Sequence, residues 1–83
     1  MDYKADIMAC KNASEIENLL SAIIQGIKNE IDRKIAINEF SRDLNELIGH
    51  GKLTFRSGQL NYIPFTGVQF PKFTADTVLI FKE

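Results

Sequence analysis

Along residues 14 to 33 the apolar side chains recur at Ile16, Leu19, Leu20, Ile23, Ile24, Ile27 and Ile31. Spacings of three and four build a single helical stripe, which predicts a helix over this stretch. Ser14 and Glu17 match the capping-box spacing and place its start. Glu30 with Lys34 and Lys28 with Asp32 read as i,i+4 pairs on its solvated face. A second stripe follows at Ile37, Phe40, Leu44, Leu47 and Ile48. At about 100° per residue it points roughly 110° away from the first, so an unbroken helix could not serve one core. The break is expected between Arg33 and Asn38, and the end of the second helix at Gly49-His50-Gly51, where glycine can take the left-handed cap conformation. Tyr3 and Ile7 have the spacing of a short additional N-terminal helix.

From Lys52 the period changes to two. With Ser57-Gly58 as a two-residue loop, Leu53, Phe55, Leu60 and Tyr62 fall on one face, and Lys52, Thr54, Arg56, Gln59 and Asn61 on the other. This predicts a hairpin over 52–63. Thr77 to Phe81 is continuously apolar and rich in β-branched residues, as expected of a strand flanked on both faces beside that hairpin. Between them Pro64, Pro71 and Gly67 argue for a loop over 64–75, with room for a brief edge strand at Val68 to Phe70. The fold class that follows is α+β: N-terminal helices on a small C-terminal antiparallel sheet of three strands. Ile23, Ile27, Leu44, Leu47, Phe55 and Leu60 are expected in a shared core.

A chain of 83 residues encloses one core, so a single domain over 1–83 is expected. Apolar and charged fractions of 45% and 25% suffice for that core without metals or disulfides. The single cysteine suits a reducing compartment. The opening residues Met1 to Asp6 lack the basic and apolar regions of an export signal, and no apolar run approaches a bilayer span. Together these predict a soluble cytoplasmic protein. Recurrent Ile, Asn and Lys suggest an AT-rich genome, such as that of a low-GC bacterium or phage. The net charge of -1 argues against general nucleic-acid binding. It conceals an asymmetry: residues 1–50 carry nine acids against six bases, residues 51–83 two acids against four bases.

No catalytic constellation emerges, so no enzyme activity and no cofactor are expected. His50, the only histidine, stands at a predicted helix end, where it interacts with free carbonyls more readily than with a nucleophile. Cys10 has no neighbouring base in any motif, and one Cys with one His cannot make a four-ligand zinc site. The acids, Glu39, Asp43 and Glu46 among them, are assigned to solvated outer helix faces. No glycine cluster joins a strand to a helix as a phosphate loop requires. Six of the eight aromatics, however, fall in the C-terminal third among Lys52, Arg56 and Lys72. Phe55 and Tyr62 are assigned to the core. Phe65, Phe70 and Phe73 in the proline-flanked loop, with Arg56 and Lys72, are the expected partner-binding residues.

The leading expectation is therefore a non-enzymatic protein-interaction module, a small inhibitor or regulatory protein that occupies the surface of a partner protein. The alternative is nucleic-acid binding. The order helix, helix, hairpin distantly resembles that of winged-helix domains, with the second helix and the 52–63 hairpin as recognition helix and wing. Glu39, Asp43 and Glu46 would repel phosphates on that helix. The edge of Val78 to Phe81 leaves two alternatives, a homodimer paired across it or an edge guarded by Lys82 and Glu83.

Overall fold

The computed structural model describes residues 2–82. Three helices, α1 (Lys4–Met8), α2 (Ala13–Gln25) and α3 (Glu30–Gly49), precede four strands, β1 (Leu53–Ser57), β2 (Leu60–Phe65), β3 (Val68–Phe73) and β4 (Val78–Phe81). The α+β class holds, and the short N-terminal helix forms. The helix boundaries move. Asn12, not Ser14, caps α2: its side chain accepts from Glu15 N at 2.9 Å, and Glu15 in return accepts from Lys11 N at 3.0 Å. The break falls at 26–29 rather than 33–38. Gly26 closes α2, and Asn29 opens α3 by accepting from Ile31 N and Asp32 N. These caps outweigh the continuous apolar stripe, whose last member Ile31 ends up 67% exposed on α3. Lys28 accordingly lies in the inter-helix turn and makes no helical pair with Asp32. The far end of α3 is as expected. Gly51 takes φ +75, its N–H donates to Ile48 O, and Lys52 N donates to Leu47 O, the Schellman arrangement.

The strands exist where periodicity put two of them, but their partners differ. β1 does not pair with β2, so there is no 52–63 hairpin. β1 pairs with β4, Leu53 opposite Phe81, and β2 pairs with β3, Leu60 opposite Phe73. The registers nearly continue one another, so 53–65 runs out and 68–81 runs back as a long antiparallel ribbon interrupted at 58–59 and 74–77. Its turn is Thr66-Gly67, with φ of 45 and 87. Positive φ at both central residues is the type I′ geometry, whose twist matches that of the strands. The region expected as a loop is thus the regular end of the ribbon. A two-residue loop makes Phe65–Val68, Ile63–Phe70 and Asn61–Lys72 the hydrogen-bonded pairs, and Pro64 and Pro71 fall between them. Their nitrogens point away from the partner strand, so neither proline removes a ladder bond.

At the interruption, Gly58 lies so close to the returning strand that a Cβ there would stand 2.3 Å from Thr77 Oγ1 and 2.5 Å from Thr77 Cα. Thr74 Oγ1 accepts from Gln59 N at 3.0 Å and bonds to the Thr77 hydroxyl at 2.8 Å. Side chains therefore bridge the gap that the ladder leaves.

Ile7, Ile16, Leu20, Ile37, Phe40, Leu44 and Leu53 are the large residues with essentially no exposure, drawing all three helices and β1 into one core. Leu44 and Leu47 are buried as expected; Ile23, Phe55 and Leu60 pack half-buried against the core, and Ile27 lies half-buried in the turn after α2. β4 is covered on one face only. Leu79 is buried, while Val78 and Ile80 are 47% and 43% exposed, because the ribbon is two strands wide and no described element covers its outer side.

Candidate functional site

The end of the ribbon places Ile63 and Phe65 on β2 and Val68 and Phe70 on β3 on one face. The Phe65 and Phe70 rings meet at 5.4 Å between centroids, tilted by 59°. The flank of α2 comes alongside. Glu17 accepts the Phe73 N–H at 2.8 Å, satisfying an outward donor on the edge of β3. One to two turns further along α2, Ser21, Ile24 and Gln25 face the ribbon. Together with Ile63, Phe65 and Phe70 they enclose an open groove of about 350 Å³ whose walls are almost entirely apolar. Ile63 and Phe65 remain 42% and 41% exposed on its rim.

The opposite face of the ribbon holds it to the helices. Pro71 and Phe73 are buried there, and the Tyr62 hydroxyl donates to Asn45 Oδ1 of α3 at 2.7 Å. Burial pushes the Tyr62 phenol above its ordinary pKa. The ribbon end is therefore anchored on one face, while on the other Val68 and Phe70 pack half-buried and Ile63 and Phe65 stay exposed.

Of the expected binding residues, the structure gathers Phe65 and Phe70, with Lys72 exposed two residues further along the same face. Phe73 does not belong with them. It is 6% exposed and packs on Phe55 with centroids 6.1 Å apart, because alternation along β3 turns it inward. Arg56 is exposed on β1, beyond the interruption at Gly58. Ile24, Ser21, Gln25 and Ile63 complete the groove and were not singled out. The available signal was Thr66-Gly67: a two-residue turn there puts 63, 65, 68 and 70 on one face.

The acidic face expected on the second helix is not continuous. Asp43 is buried at 4% exposure, where it accepts the Tyr3 N–H at 2.8 Å. Glu46 pairs with Lys4, which holds the Glu46 carboxyl below its ordinary range. His50 is exposed at the end of α3, and the half-buried Cys10 thiol contacts Asp6 O at 3.4 Å, its pKa raised by burial. Among the described residues no three His, Cys, Asp or Glu side chains gather as a metal ion would need, and no helix is long and apolar enough to cross a membrane. No family model matches the chain, and no curated protein or solved structure matches it either.

Proposed function

We propose that this chain is a non-enzymatic protein-interaction module, in the manner of a small cytoplasmic inhibitor or regulatory protein of bacterial or phage origin, and that it binds its partner protein through the ribbon end. The observation that carries this reading is the open apolar groove between α2 and the ribbon, with Ile63 and Phe65 on its rim. Contiguous exposed apolar surface is costly to keep in water and marks contact sites. The rings stand on a paired ribbon stiffened by Pro64 and Pro71, so little conformational entropy is lost when they are buried. Lys72 supplies a polar, charged border.

The test replaces Ile63 and Phe65 together by serine. Neither side chain is buried in the core, but the change removes the Phe65–Phe70 ring contact, so the double variant should lose about 1 to 2 kcal/mol and remain folded. Affinity capture from cells, with nuclease present, should recover a protein partner on the parent chain and lose it on the variant. A partner retained equally by the folded variant would refute the site. Capture abolished by nuclease, with a steep loss between low and moderate salt, would support nucleic-acid binding instead.

A further inference from the structure

We propose that the base of the ribbon, remote from the groove at its turn, is a second docking surface that takes an acidic segment of a partner protein carrying an apolar anchor residue. Lys82 N donates to Lys52 O at 2.8 Å, extending the β1–β4 register one pair beyond Leu53 and Phe81. Lys52 and Lys82 are therefore cross-strand neighbours whose side chains leave the same face, and like charges directly opposed repel. Both are exposed, and neither has an acidic partner among the described residues. Beside them Ala5, Met8 and Leu47 floor an open groove of about 330 Å³, with Lys4 on its far rim. The Lys4–Glu46 ion pair ties α1 to α3, and Met8 of α1 and Leu47 of α3 both line the groove.

An aliphatic floor bordered by ammonium groups that have no acidic partner among the described residues is complementary to carboxylates flanking an apolar side chain. Methionine adapts its shape to such an anchor. No aromatic ring lines the groove, which removes the stacking platform that single-stranded nucleic acid uses. Three lysines, one of them already paired, fall short of the polybasic cluster of roughly four to eight that anionic membranes require.

The probe is a blocked amphipathic peptide of leucine and glutamate, titrated against the full chain while the Met8 methyl resonance is followed. Saturable movement of that resonance is expected, with affinity falling about tenfold or more in Lys52→Glu/Lys82→Glu, as loss of two exposed charge contacts implies. An unchanged unfolding midpoint confirms that this variant is folded. The Ile63 and Phe65 serine variant should respond like the parent, which separates this surface from the groove at the turn. No movement of Met8 at millimolar peptide overturns the proposal. So does an equal response to the lysine counterpart of the peptide, or a response only to oligothymidylate or to phosphatidylserine vesicles.

Discussion

Gly58→Ala tests the central feature of the ribbon, the close crossing at its interruption. Two costs add. An L-residue forced to φ +79 is disfavoured by about 1 to 2 kcal/mol. The new methyl would stand 2.3 Å from Thr77 Oγ1, 2.5 Å from Thr77 Cα and 2.8 Å from Thr74 Oγ1. Overpacking of this kind costs about 1 to 3 kcal/mol, so the total is about 2 to 5 kcal/mol. That is a large fraction of the stability of a domain this small. Urea unfolding followed by far-ultraviolet circular dichroism measures it. With a slope near 1 kcal/mol per molar, the midpoint should fall by about 2 M or more. Adding Thr77→Ala should rescue little, since the contact with the Thr77 backbone remains. Gly49→Ala is the control: nothing lies within 4 Å of its Cβ position in the last turn of α3, and the change should be neutral or stabilising by up to about 1 kcal/mol. A Gly58→Ala variant within about 0.5 kcal/mol of the parent would refute the crossing, because surface substitutions do no more than that.

Asp43→Ala should cost about 1 to 3 kcal/mol in the same unfolding assay, because it strands the buried Tyr3 N–H; a cost below that range would mean that water reaches the donor. Phe73→Ser should destabilise by several times more than Phe65→Ser, a reversal of their grouping by sequence, and equal unfolding midpoints would contradict the burial of Phe73. Thr66→Asn should stabilise by about 0.5 to 1 kcal/mol, since asparagine tolerates the left-handed φ of this turn better than a β-branched residue does. Burial, reinforced by Glu39, Asp43 and Asp6, raises the Tyr3 phenol above its ordinary 10.0. The folded state keeps that proton where the unfolded state has lost it. Stability is therefore complete below pH 10.0 and declines as pH rises through the folded value, with Tyr3→Phe flattening the decline.

The helical half was legible because burial along α3 follows its stripe, and because the Gly49-His50-Gly51 stop is a local backbone requirement. The break between α2 and α3 was obscured by Ile27 and Ile31, which extend the apolar spacing through Gly26 and Asn29 although caps decide where the backbone turns. The ribbon was harder for a different reason. Ser57-Gly58 and Thr66-Gly67 both offer a two-residue turn, and period-two alternation fits either. Prolines at 64 and 71 counted against strand, yet their outward nitrogens cost nothing in a ribbon only two strands wide. Phe65, Phe70 and Lys72 were therefore recognisable by type and not by position, while Ile24 joined them only through the docking of α2 on β3.

The nesting of β2–β3 inside β1–β4 bears on how the chain assembles. Leu53 and Phe81 are far apart in sequence, and closing that loop directly from the unfolded chain would be entropically slow. Once the Thr66-Gly67 turn has formed and pairing has spread to Leu60 and Phe73, the remaining gap is only a few residues on each side. Assembly can thus proceed like a zipper from the turn toward the base, with mostly local steps despite the long-range final contact. On this route the turn belongs to the folding transition state and β1–β4 to the last stage. Substitutions at Thr66 would then alter the folding rate, and substitutions at Leu79 mainly the unfolding rate.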